Sequence, residues 1–215
     1  ITIIALCTAV SLFLMGRTYP EKYGLLPDGA ARPPGKAEAP PVARKLSYGR
    51  IARLLLKDSR FWIIVFCFGA ITTVQMTVFV HQMAYAEGYG VDPVIAASLL
   101  GIIGIASIGG RFFFGWLSDR LDDPKHAACI GFGCMAVAMF ILLFFHSVEC
   151  FYLYAGVFGF GYGCLNPMMA ILTVDRFGRD IYGTAYGLLI FFTVGIGGSL
   201  GPIFGGFVYD VTGSY

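Results

Sequence analysis

The sequence predicts an all-α membrane protein: five full transmembrane helices, preceded by the truncated end of a sixth. Three observations predict it. The 215-residue chain is 57% hydrophobic and 13% charged, with mean hydropathy +0.75; soluble domains carry about 25% charged residues. Five apolar runs reach the roughly 20 residues that span a bilayer. Lysines and arginines then appear at every second turn between those runs, as orientation in a membrane requires.

The first run, Ile1–Met15, is too short to cross and begins without methionine or the charged start of a signal peptide. It reads as the end of a helix lost to truncation. The polar stretch Gly16–Arg60 follows and holds ten of the fifteen Lys and Arg residues, which makes it cytoplasmic. Its middle, Ala30–Pro41, is rich in Pro, Ala and Lys and reads as flexible. Within Tyr48–Arg60, the residues Arg50, Arg53, Lys57 and Arg60 recur on one helical face, with Ile51, Leu54 and Leu55 away from it. Two readings stand for this amphipathic helix: one lying on anionic headgroups, or a solvated basic loop helix.

The five spans are Phe61–Tyr85, Pro93–Leu117, Ala127–Phe145, Phe151–Val174 and Gly183–Val208. Ala86–Asp92, His146–Cys150 and the tail Tyr209–Tyr215 hold no Lys or Arg. Ser118–His126 holds Arg120 and Lys125, and Asp175–Tyr182 holds Arg176 and Arg179. That alternation agrees with five crossings and puts the tail outside, before a missing last helix. The 29 glycines fit closely packed membrane helices. The six cysteines, at 7, 67, 129, 134, 150 and 164, show no metal spacing. Neither a disulfide, a metal site nor a cofactor is expected.

Arg111 stands out inside the second span, because a guanidinium stays charged at any physiological pH. At helix-centre depth it costs roughly 2.5–3.5 kcal/mol on insertion scales, so it should face a cavity or a partner. It can fork onto a carboxylate through two charge-assisted hydrogen bonds. It can also snorkel to the interface, since Leu117 lies six residues on. In the first span Thr72, Gln75, Phe79 and Gln82 share a face and suggest a cavity wall. His81, near the outer end, reads as interfacial. Tyr154, Phe158, Tyr162 and Asn166-Pro167 mark a kinked helix with one aromatic edge, either lining substrate or packing. Gly197, Gly201-Pro202 and Gly205 form a four-residue glycine ladder with a proline, read as helix packing and a hinge.

The order of these pieces resembles the C-terminal half of a major facilitator superfamily transporter, and more narrowly the monocarboxylate transporter and oxalate–formate antiporter branch. Pro20–Gly29 resembles the loop after the sixth helix of bacterial members, and His81–Tyr85 with Glu87–Val91 the end of the seventh helix. Gly110–Arg120 is similar to the eighth helix and its cytoplasmic turn, Tyr154–Gly163 to the tenth, and Gly183–Leu189 with Gly201-Pro202 to the eleventh.

The resemblance implies a twelve-helix carrier with alternating access. Its substrate site lies between two six-helix halves, and this chain would supply one incomplete half, unable to transport alone. It implies that Arg111 contacts a substrate carboxylate. It implies that Gly115, Asp119, Arg120 and Lys125 form a gating motif that stabilises the state closed to the cytoplasm. Two departures refine it. Ser107 stands where many animal members have an aspartate, so that place supplies no titratable partner for proton coupling. The span Gly183–Val208 has no Lys or Arg, which argues against oxalate and leaves one obvious cation.

The expectation is a secondary carrier of small organic anions, monocarboxylates first, with Arg111, Gln75, Gln82, Tyr154, Phe158 and Asn166 as binding residues. Its partners are the lipid bilayer, the anion and the missing N-terminal half, with no nucleic acid; its place is the bacterial inner (plasma) membrane. The alternatives are a carrier for a drug or sugar with Arg111 structural, or a membrane sensor that kept the carrier fold. No intramembrane pair of acids, His/Cys cluster or Ser/His/Asp grouping supports an enzyme. No repeated filter sequence supports a channel.

Overall fold

The computed structural model describes residues 47–213. The expectations for the stump 1–15, for most of the loop 16–60 and for the final two residues lie outside it. The described residues form helices α1 (Tyr48–Leu55), α2 (Ser59–Gly88), α3 (Pro93–Arg120), α4 (Pro124–Phe144), α5 (Val148–Tyr162), α6 (Leu165–Phe177), α7 (Tyr182–Ile190) and α8 (Gly198–Thr212). A π-helical segment, Phe191–Gly197, joins α7 to α8. Five helical stretches are long and apolar enough to cross a membrane: α2, α3, α4, α5 with α6, and α7 through α8.

The helix starts follow from local chemistry. The first amides of a helix have no partner within it, and a side-chain oxygen just before the start accepts from them. Asp58 accepts from the Arg60 amide, Asp92 from Val94, Asp123 from Lys125 and Ser147 from Cys150. Pro93 and Pro124 occupy the first turns of α3 and α4, where no amide is needed. The cap at Asp58 also corrects the amphipathic helix: α1 stops at Leu55, and Arg60 belongs to α2. Gly178 ends α6 with φ +80°, a backbone conformation that L side chains rarely adopt.

Burial is inverted relative to a soluble domain. Phe66 and Phe112 are each more than 70% exposed, as side chains facing lipid tails or another part of the protein would be. Glycine brings the backbones together inside. A Cβ on Gly110 would strike the Phe160 carbonyl, and one on Gly159 would sit 2.5 Å from the Ile103 carbonyl. A Cβ on Gly163 would sit 2.5 Å from the Ser107 carbonyl. These contacts lock α3 onto α5 at close range. A Cβ on Gly161 would meet the Gly131 carbonyl at 2.7 Å, which seats α4 against α5.

The second close seam joins α2 to the last helix. A Cβ on Gly197 would lie 3.0 Å from the Gly69 carbonyl, and one on Gly201 would strike the Thr73 carbonyl. A Cβ on Gly205 would meet the His81 ring at 2.6 Å. The Thr73 hydroxyl reaches the Gly197 carbonyl at 2.7 Å, and His81 Nε2 lies 3.1 Å from the Pro202 carbonyl. His81 is therefore tied to α8. Pro202, inside α8, has no amide to return to the preceding turn. The π segment lies just upstream, where the helix is already widened.

Candidate functional site

Arg111 lies about two-thirds of the way along α3, on its exposed side. The helix continues for nine further residues to Arg120, about 13 Å of rise. The guanidinium borders a depression of about 560 Å³ with Ser107, Gly101 and Gly104 of α3, Phe79 of α2 and Tyr162 of α5. It makes no ion pair or side-chain hydrogen bond with the described residues. Phe79 and Tyr162 meet edge to face, 5.4 Å between centroids at 79°. The Ser107 hydroxyl is buried and donates to the Gly104 carbonyl at 2.7 Å. Added Cβ atoms on Gly101 and Gly104 would meet open space. The α3–α5 glycine contacts are what hold Tyr162 beside Arg111.

The other expected binding residues sit elsewhere. Gln75 is buried within the bundle, as are Tyr154 and Phe158, which are fully enclosed. Tyr154 donates to Gln82 Oε1 at 3.3 Å. Gln82 Nε2 is buried without a hydrogen-bond partner among the described residues. Gln82 borders a second cavity, of about 390 Å³, between α2, α4 and α8. Asn166 is exposed at the start of α6 and is not among the residues lining the Arg111 depression. Of the six, only Arg111 borders that depression. Phe79 and Tyr162, which the sequence placed on the same helical edges as Gln82 and Tyr154, are the side chains that join it. The signal was present in the heptad-like spacing. The direction in which each edge pointed was not.

At the charged end of the bundle, Asp119 is exposed and makes no ion pair or side-chain hydrogen bond among the described residues. Asp123 is ion-paired. Its carboxylate pairs with Lys125 Nζ at 2.9 Å and accepts from Arg176 at 2.7 Å on each oxygen. The hydrogen bonds from the Lys125 side chain and backbone, and then Arg176, hold the Asp123 carboxyl well below the usual carboxylate range. The α3–α4 turn is thereby strapped to the end of α6. An Asp-Pro pair opening a helix was the readable sign of Asp123; its partner Arg176, fifty-three residues on, left none. Arg120 lies over the Trp116 ring, 4.9 Å from its centroid. Gly115 has open space where a Cβ would project, so within the described residues it makes no tight helix approach.

At the opposite end, the Tyr85 hydroxyl donates to the Leu142 carbonyl at 3.1 Å and lies 3.2 Å from His146 Nε2. Tyr89 stacks on His146 at 3.9 Å. This aromatic clamp fixes the end of α2 to the α4–α5 turn. Among the described residues no group of His, Cys, Asp or Glu is placed to hold a metal ion.

The family model described as Major Facilitator Superfamily matches residues 1–202. The chain belongs to the major facilitator superfamily. It is an integral membrane protein, and within the family it is similar to monocarboxylate transporters. Monocarboxylate transporter 12 of Xenopus laevis is 31% identical over 140 residues, covering 64% of this chain and 30% of that protein. Monocarboxylate transporter 13 of Bos taurus is 28% identical over 187 residues, covering 86% of this chain and 42% of that protein. An uncharacterized MFS-type transporter of Schizosaccharomyces pombe is 27% identical over 171 residues, 78% of this chain and 35% of that protein. This facilitator chain thus spans about a third of the length of the curated relatives it matches.

Proposed function

We propose that this chain is part of a secondary active carrier that moves small organic anions, monocarboxylates first, by alternating access. The observation that supports it is Arg111: a permanent cation inside a span, bordering an open depression and free of any ion pair among the described residues. A guanidinium held so, in a low-dielectric wall, is suited to a carboxylate. The names of the relatives from Xenopus laevis and Bos taurus point the same way. The reading is a carrier and not an enzyme. The rest of the polypeptide supplies the other wall of the site, and the lipid bilayer surrounds both. Residues 47–60 face the cytoplasm, and the Asp119–Lys125 turn acts in gating at that side. Gly197, Gly201, Pro202 and Gly205 serve as the packing seam and hinge against α2. The relatives reported above are all eukaryotic, so they lend no support to a bacterial inner membrane.

Flux through the full-length carrier tests the reading. Arg111→Ala should abolish uptake of the transported anion with expression near normal. Arg111→Lys should also be poor, because an ammonium cannot fork onto two oxygens. Loss of one charge-assisted pair at a dry site costs roughly 2–5 kcal/mol, or about 30- to several-thousand-fold in affinity. Near-normal uptake and affinity in Arg111→Lys would move the anion site elsewhere.

A further inference from the structure

We propose that the basic face of α1 is a docking surface for the headgroups of anionic phospholipids. Helix α1 has two committed sides. Ile51 and Leu55 are buried and border a depression of about 280 Å³ with Phe177 and Ile181, at the α6–α7 turn. Ile51 and Leu55 are therefore turned to protein, while Leu54 of the same side stays 58% exposed. The other side carries Arg50 and Arg53, Lys57 follows in the turn after the helix, and Arg60 lies at the start of α2, all of them exposed. None of these four cations is ion-paired among the described residues.

The one acid between Ser47 and Ile63 is Asp58, and its carboxylate is engaged by the Arg60 amide at 2.8 Å. Like charges spaced three and four apart destabilise an isolated helix, so the face calls for an anionic surface.

The position of the bilayer says which surface that is. Trp62 is 43% exposed, in the first turn of α2, and donates its indole N–H to the Leu56 carbonyl just after α1, at 2.9 Å. Ile63 and Phe66 follow, 63% and 78% exposed, as lipid-facing residues. A tryptophan between a wet and an apolar zone marks the interface. Arg60 is three residues before Ile63, about 5 Å of helix rise. Helix α1 therefore lies at headgroup level, within a Debye length of lipid charge. Because the same helix docks on the α6–α7 turn, lipid charge holds the start of the helix that carries the π segment and Pro202. This inference stands whatever the solute is.

Hydrogen exchange on the full-length carrier in nanodiscs decides it. Exchange of residues 47–57 is compared in discs of phosphatidylcholine alone and discs with about 30% phosphatidylglycerol. Anionic lipid should slow exchange about tenfold in this segment and leave α4 unchanged. About 1 M salt, where the Debye length falls to about 3 Å, should reverse the effect. The triple variant Arg50→Gln, Arg53→Gln, Lys57→Gln should lose the response, each cation being worth about fivefold near an anionic surface. It should exchange like the parent in phosphatidylcholine discs, which shows that α1 is still folded and docked. Equal exchange in both discs, or a lipid response kept by the triple variant, would overturn the proposal. So would equal slowing by soluble polyglutamate in phosphatidylcholine discs, which would assign the face to a soluble polyanion.

Discussion

At the scale of single residues, glycines in one helix do opposite work. Gly110 and Gly104 lie six residues apart on α3. A Cβ on Gly110 would strike the Phe160 carbonyl, a backbone atom that cannot swing aside. Gly110→Ala should therefore prise α3 from α5 and destabilise the carrier by about 1–3 kcal/mol, as overpacking does. Gly104 faces open space beside Arg111. Gly104→Ala should be neutral or stabilising by up to about 1 kcal/mol, because alanine is the better helix former. Thermal unfolding of the purified full-length variants in detergent checks both. Equal losses at the two positions would mean that the α3–α5 crossing is not where the stability lies.

At the scale of elements, Asp123 joins the α3–α4 turn to the end of α6, two pieces of chain that sequence order keeps apart. Its carboxylate lies between Lys125 of α4 and Arg176 of α6 and begins α4 as its cap. The sign of its pH dependence follows from a carboxyl pKa held below its ordinary value near 3.8. A group lowered on folding contributes stability above that ordinary value, and the contribution is lost as pH falls through the lowered one. Asp123→Asn should therefore destabilise the carrier by the same margin at every pH from about 5 to 8. The margin should shrink only in stronger acid. Unfolding midpoints of parent and variant across that range give the test; a margin that faded already near neutral pH would point to a titrating group other than Asp123. Salt should reduce the margin, since the three side chains are at the surface.

At the scale of the whole molecule, the two ends of the bundle differ in charge as well as in pairing. Arg53, Lys57, Arg120, Lys125, Arg176 and Arg179 gather where α1, α3 and α6 end and α2, α4 and α7 begin. The opposite end carries the Tyr85–Tyr89–His146 clamp. Positively charged turns stay on the cytoplasmic side. A membrane-impermeant thiol reagent should therefore label Gly88→Cys from outside intact cells and fail to label Lys57→Cys until the membrane is opened. This assumes a full-length background without its native cysteines. Gly88 suits the purpose, because it is exposed and an added Cβ there meets nothing. Labelling of Lys57→Cys from outside would invert the proposed orientation.

The sequence by itself determined what depends on local chemistry. Hydropathy over some twenty residues marks a membrane helix wherever its neighbours lie, and α2 to α8 occupy the apolar runs. Asp92-Pro93 and Asp123-Pro124 start their helices by an equally local rule, a cap and its amide two residues apart, though hydropathy alone began the second of these runs at Ala127. Arg111 was legible because a charge inside an apolar run costs energy in any tertiary arrangement. Tertiary structure decided the rest. Helices apolar on all sides carry no stripe to say which face is inward, so only packing sends Gln82 toward Tyr154 and Phe79 toward Arg111. Only packing separates Gly110, pressed on a carbonyl, from Gly115, which faces open space. Only packing gives Asp123, and not Asp119, the arginine of a distant helix. The physical reason is range: caps and hydropathy act within a turn or along one segment, whereas a site is assembled by contacts that the order of residues does not encode one at a time.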